Sequence, residues 1–319
     1  MTRRGLILFV ALGVVWGIPY ALIKVAVTEL SPEMLVLARS AIAAVVLLPL
    51  AAFRRQLRPA LKHWKPLLAY TAVEIIVPWY FINSAETKLP SSLAGLLLAT
   101  VPLAGLAIAW ISGRAEQMRA GNWLGLATGL LGVGLLVGFD VGGSDWFGVV
   151  EMMIAVVGYA AGPAIVARYM PDVPGVGISA LSLAGAALAY LPIVAITGTF
   201  PTAMPSGPVV GSVLVLALVC SALAFILMVG LIAEVGPVRM TTITYINPAV
   251  AVVVGAAFLG ERITVWTVIG FGLVLAGSYL VTRRVAAVDE PPEACHLAAT
   301  DGHAVQPAAE GQPSVASRP

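Results

Sequence analysis

Almost the whole chain divides into apolar stretches separated by brief polar breaks, near 6–27, 33–53, 66–85, 91–112, 122–140, 147–168, 175–197, 208–232, 239–259 and 264–282. A stretch of about 20 mainly apolar residues is what a helix needs to cross a bilayer. Charge clusters, Pro and Gly mark the breaks. The expectation is an all-α integral membrane protein with ten transmembrane helices. Mean hydropathy of +0.97, with 60% apolar and 11% charged residues, lies far outside the range of water-soluble domains. Arg3 and Arg4 before the first stretch resemble the start of a signal peptide. That stretch is too long for one, lacks a small-residue cleavage site and leads directly into further spans.

The distribution of positive charge sets the expected orientation. With the N-terminus in the cytoplasm, Arg54, Arg55, Arg58, Lys62, Lys65, Arg114, Arg119 and Arg239 all fall on inner loops, flanked by Arg3, Arg4, Arg283 and Arg284. Only Lys88 and Arg262 remain on outer connections. This asymmetry predicts a multi-pass protein of the cytoplasmic membrane with both termini inside. From 285 to 319 the composition turns to Pro, Ala, Glu, Gly and Ser, which predicts a disordered cytoplasmic tail.

The apolar region is written twice. Pro19, Lys24, Pro32 and Pro49 in the first half match Pro163, Arg168, Pro174 and Pro192 in the second. Pro102, Glu116, Gly125 and Gly132 match Pro248, Glu261, Gly270 and Gly277, and the ordered matches fall at offsets of 142 to 146 residues. Each half holds an odd number of spans, so equivalent helices cross the membrane in opposite directions. The expected units are two inverted five-helix repeats, 1–140 and 141–284, followed by the tail 285–319. Inverted repeats around a site at the midplane are the architecture of alternating-access transport.

Trp16-Gly17 with Lys24 in span one, Arg39 in span two, the prolines Pro102 and Pro248, and the doubled Glu-x8-Gly-x6-Gly ending resemble the EamA-type branch of the drug/metabolite transporter superfamily. The resemblance covers both repeats, roughly 6–284, and leaves out the tail. It implies a ten-helix inverted-repeat carrier, usually of amino acids or related small metabolites and often an exporter. Tyr159 stands where tryptophan is common in the family, and Trp266 precedes Gly270 by one helical turn.

Polar residues inside the spans are the candidate site. Glu74 heads the stretch EIIVPWYFIN in span three. An ionised carboxylate in hydrocarbon is costly, so Glu74 either faces a wet cavity and exchanges a proton or reaches water at the cytoplasmic end of its helix. Pro78 predicts a kink. Trp79 and Tyr80 point to neighbouring faces, so one of them at most shares a cavity with Asn83. Interfacial anchoring is the competing reading for both aromatics, and contact with a neighbouring helix is the competing reading for Asn83. Tyr245 and Asn247 precede Pro248 on span nine, where the proline predicts a local break with free backbone groups. Trp16, Tyr20 and Tyr159 lie at matching depth on spans one and six, and the resemblance implies that they line the path.

Arg39 lies deep enough to pair with a carboxylate, whereas Lys24 and Arg168 are expected to reach water from span ends. Glu151 is expected in the first turn of span six, favoured there by the helix dipole, and Glu116 and Glu261 are expected to cap loops or helices. The small residues of Gly125-Leu-Ala-Thr-Gly129 and Gly132 predict close helix packing, within the fold or between protomers of a homodimer.

These observations favour a secondary active or facilitative transporter whose partners are a small-molecule substrate and the lipid bilayer. Drug efflux or metabolite uptake is the alternative direction of use, and a non-transporting scaffold is the alternative of another class. No nucleotide-binding loop occurs. The histidines at 63, 296 and 303 and the cysteines at 220 and 295 have no metal-ligand spacing, so neither cofactor nor metal is expected. Net charge of +2 gives no reason to expect a nucleic-acid partner.

Overall fold

The computed structural model describes residues 2–113, 120–140, 145–236 and 241–285, and these residues form helices joined by short turns, with no strand among them. Eight of the described helices are long and apolar enough to cross a membrane. They include α1 (Arg3–Ala26), α2 (Pro32–Phe53), α3 (Trp64–Lys88), α4 (Ser91–Ile111), α6 (Trp146–Tyr169), α7 (Gly175–Thr197) and α8 (Gly207–Val235). The remaining one is α5 (Ala120–Asp140), whose apolar window is Gly121–Gly138. Two shorter apolar helices follow, α9 (Ile246–Leu259) and α10 (Val265–Val285). Large apolar side chains such as Val45, Leu130, Ile196 and Phe258 stand exposed around the outside, as lipid contact requires. The residues Arg114, Glu116, Arg119 and Arg239, and the tail beyond Val285, lie outside the described residues.

Local chemistry explains where the helices start and bend. Ser31 caps α2 by accepting the Met34 N–H at 3.2 Å, with Pro32 and Glu33 filling the first turn. α1 bends at Ile18, just before Pro19. α4 is interrupted between Leu98 and Val101, with Pro102 at the start of its second segment. The freed Ala99 carbonyl accepts a hydrogen bond from Ser278 Oγ of α10 at 2.8 Å. α9 is preceded by a 3₁₀ segment, Thr241–Tyr245, so the irregular backbone ends at Tyr245, and Asn247 and Pro248 stand in the first turn of the α-helix that follows.

Two expectations about helix bends and helix starts are corrected. Pro78 does not act through a simple kink, because a π-helical turn, Thr71–Ile76, precedes it and returns the Val77 N–H to Ala72 O. The wider turn places Pro78 in the first turn of the following α-segment, where it needs no hydrogen bond. Glu151 is not in the first turn of α6, which begins at Trp146. It forms an ion pair with Lys88 at 2.8 Å and accepts from Ser84 Oγ at 2.8 Å, tying α6 to the end of α3.

Packing is organised by pairs of helices from the two halves. α2 lies along α7, α3 along α6, α1 along α8, α4 along α9, and α5 along α10. In the last pair, a Cβ on Gly277 would stand 2.5 Å from Gly125 O, and one on Gly132 would stand 2.7 Å from Gly270 O. The backbones therefore touch, and the small-residue face of α5 is occupied within the chain.

At the level of the α1–α2 turn, the exposed Glu29 carboxylate accepts the Ser206 N–H at 2.8 Å, at the start of α8. Hydrogen bonds from the Ser206 side chain and backbone hold Glu29 below its ordinary value. A depressed carboxyl contributes stability above its unfolded value of about 4.5 and loses it as pH falls through the folded value. Glu29→Gln is therefore expected to lower the thermal midpoint of detergent-solubilised protein more at pH 7 than at pH 3. An equal deficit at both pH values would mean that Glu29 acts without its charge.

Candidate functional site

The polar residues of α1, α2, α3, α6 and α8 meet where the two principal apolar cores join. Tyr20 belongs to one core and Trp79 to the other, while Tyr159 borders both. At their centre is Arg39, only 8% exposed. Its Cζ sits 3.8 Å above the Trp79 ring, and its Nε donates to Ser221 Oγ at 2.9 Å. Tyr20, Tyr159 and the free Cys220 stand within electrostatic range of the guanidinium. The Trp79 side chain stands beside the Tyr159 hydroxyl.

The expected carboxylate partner of Arg39 is absent among the described residues. Instead, a hydroxyl and an aromatic face hold the guanidinium, because Ser221 sits in a second π-helical turn, Leu218–Leu223, that brings α8 against α2. A cation over a tryptophan face gains roughly 2 kcal/mol when desolvated, less than a full counter-ion supplies. Trp79 and Tyr20 are themselves buried, so the cluster is closed in this conformation.

Glu74 lies near the middle of α3, on its Trp64 side, in the fourth position of the first π-turn, and its carboxyl rests against Gly162 of α6. A side chain at position 162 would collide with it. Its Oε2 is buried without a hydrogen-bond partner among the described residues, and Tyr70 and Tyr159 are its titratable neighbours.

Other residues expected at the site are engaged elsewhere. Trp16 packs among Leu12, Leu231 and Ile243, between α1, α8 and the 3₁₀ segment. Tyr80 stacks on Tyr190 of α7 with centroids 6.4 Å apart, and Tyr190 donates its hydroxyl to Ile76 O. Asn83 donates to Pro32 O at 3.1 Å, fixing α3 to the start of α2, while its buried Oδ1 has no partner among the described residues. Tyr245 ends the 3₁₀ segment, and Asn247, with its amide turned to donate, reaches Ile243 O at 3.2 Å and Gly13 O at 3.1 Å.

Two further residues were not legible as site residues. Lys24 does not simply reach water, since it donates to the backbone carbonyls of Glu86 at 2.7 Å and Leu89 at 2.9 Å. An expected span of 66–85 leaves Glu86 just beyond its end, yet α3 runs on to Lys88 and buries it completely. Pro90 was the signal that would have found it, because the residue before a proline leaves the helical region and sets the stop beyond Glu86.

Glu261 caps across the fold as expected of a loop glutamate. Its carboxylate accepts the Ser91 and Ser92 N–H groups at 2.7 and 2.9 Å, at the start of α4.

Comparison with known proteins agrees with this architecture. An uncharacterized inner membrane transporter, YedA, of Escherichia coli (strain K12) is 30% identical over 277 residues, 85% of this chain and 88% of that one. A protein of Streptantibioticus cattleyicolor named a "probable terminal-alkyne amino-acid exporter" is 24% identical over 278 residues, 85% of this chain and 91% of that one. A solved crystal structure with 18% identity superposes with a TM-score of 0.63, covering 91% of this chain and 100% of that chain, and shares its fold. The EamA-like transporter family matches residues 3–138 and again 146–283. A multi-pass helical membrane protein that matches this family along both halves belongs to the EamA-like transporter family.

Proposed function

We propose that the protein is an alternating-access carrier of ten transmembrane helices, in two inverted repeats over 1–140 and 141–284, that exports amino acids or related carboxylate-bearing metabolites across the cytoplasmic membrane. Both termini face the cytoplasm in this reading. The observation that carries the substrate class is Arg39, a buried guanidinium with no carboxylate partner among the described residues, ringed by Trp79, Tyr20 and Tyr159. A charge held this way marks a substrate path by default, and a guanidinium is matched to a carboxylate.

Several features support the inverted repeat. α3 and α8 each carry a six-residue π-turn, and the fourth positions of these turns are Glu74 and Ser221. α4 and α9 both resume after a break, with Pro102 and Pro248 in the first turn. In α5 and α10, Gly125 meets Gly277 while Gly132 meets Gly270, the reciprocal contacts of antiparallel equivalents. π-turns and broken helices recur at functional sites in membranes because they free backbone groups where a cavity can use them. The name of the Streptantibioticus relative favours amino acids and export.

In this mechanism the substrate carboxylate binds Arg39 between the aromatic faces, and Glu74 exchanges a proton on the cytoplasmic side. Trp16, Tyr80, Asn83 and Asn247 meet the substrate only as the repeats move, since each packs elsewhere in the closed state, and Tyr245 joins them from the end of the 3₁₀ segment. Reconstitution in liposomes and counterflow with a panel of labelled amino acids tests the reading. Accumulation no greater than in empty liposomes for every member would overturn it. Glu74→Gln is expected to keep counterflow while losing acceleration by an imposed pH gradient. An unchanged pH response would remove Glu74 from the mechanism.

A further inference from the structure

Toward the Lys88 end of α3, twelve residues and about 18 Å beyond Glu74, is a second membrane-embedded carboxyl. Glu86 is 0% exposed, and neither of its carboxyl oxygens has a hydrogen-bond donor among the described residues. Its surroundings are charged but already committed. Lys24 of α1 spends its ammonium on the Glu86 and Leu89 carbonyls, which closes the end of α3. Glu261, from the turn between α9 and α10, spends its carboxylate on the start of α4. Tyr20 of α1 faces Glu86 from the aromatic cluster. From α6, Glu151 is taken up by Lys88, and from α2, Arg39 is taken up by Ser221 and Trp79.

We propose that Glu86 is a proton-binding site, placed on the outer side of the Arg39 cluster as Glu74 is on the inner side. Three observations combine. A buried carboxylate without donors is costly, and a proton on the carboxyl removes the charge that makes it so. With Lys24 and Glu261 ionised, an ionised Glu86 leaves this closed end with one excess negative charge, and a proton makes it neutral. A proton also needs no volume, so it fits a side chain with no exposed surface, where a metal ion or an amine would have to displace packing. Rotation of the outer ends would separate Lys24 from the α3 carbonyls and Glu261 from α4, opening Glu86 to water and letting the proton leave. The coupling role rests on the transport reading, but the proton site itself does not.

Infrared difference spectroscopy of the full chain in lipid nanodiscs across a pH series reads protonated carboxyls directly. At neutral pH the spectrum is expected to contain a buried carboxylic-acid band that disappears in Glu86→Gln and survives in Glu74→Gln. In Lys24→Met, which keeps Glu86, the band is expected to shift in frequency, because the ammonium that sits on the Glu86 carbonyl is gone. A carboxylic-acid region unchanged in Glu86→Gln, or insensitive to Lys24→Met, would overturn the proposal. Counterflow on the same preparations separates the two readings: a Glu86 band without substrate accumulation defeats the carrier, whereas accumulation without the band defeats the proton site.

Discussion

Gly277→Leu is expected to abolish recovery of folded, monodisperse protein, and Gly277→Ala to destabilise it by about 3 kcal/mol, the upper part of the usual range for overpacking. A Cβ at this position meets the Gly125 carbonyl at 2.5 Å and the Gly129 nitrogen at 2.6 Å, and both are backbone atoms that cannot change rotamer. α5 and α10 would have to move apart along their whole contact. Gly272, on the same helix, has nothing within 4 Å of a Cβ and is exposed. Gly272→Ala is therefore expected to be neutral or to stabilise by up to about 1 kcal/mol through helix propensity. Thermal unfolding monitored by size-exclusion chromatography compares the pair. Equal effects at 272 and 277 would show that propensity, not close approach, governs this helix.

Arg39→Ala is expected to weaken substrate affinity at least about 30-fold, equivalent to roughly 2 kcal/mol, the lower bound for removing one partner of a desolvated charge pair. Arg39→Lys keeps the charge but loses the planar fork and its stacking on Trp79, so an intermediate loss is expected. An amine analogue lacking the carboxylate should compete poorly with wild type and equally poorly with Arg39→Ala. Scintillation-proximity binding of the labelled amino acid found by counterflow measures all three. Wild-type affinity in Arg39→Ala would leave Arg39 as a structural cation that only packs α2 against α8, and would move the substrate away from the cluster.

Much of this was legible without coordinates, and for identifiable reasons. The spans could be read because burial in lipid demands continuous apolar length. The close contact of α5 with α10 could be read as close packing because only glycine permits backbone contact, although whether it lay within one chain could not. Asn83 and Tyr80 illustrate the limit. Both have the chemistry of site residues, yet Asn83 is taken by the Pro32 carbonyl and Tyr80 by the Tyr190 ring. Their neighbours are set by helix rotation, which a sequence with apolar residues on nearly every face leaves undefined. The two π-turns add an offset that α-helical periodicity does not contain.

The sequence by itself determined that this chain is a helical membrane protein and that it carries a duplicated pattern, because hydropathy and spacing are properties of residues taken in order. It also determined that its few intramembrane charges are exceptional, since each is costly in hydrocarbon wherever the helices turn. Only the tertiary structure decided that Arg39 meets Ser221 and Trp79 instead of a carboxylate, and that Glu86 lies inside the fold instead of on a loop. Those outcomes depend on which helix faces which across separations of more than a hundred residues. A single side chain's chemistry permits many partners, and packing selects one.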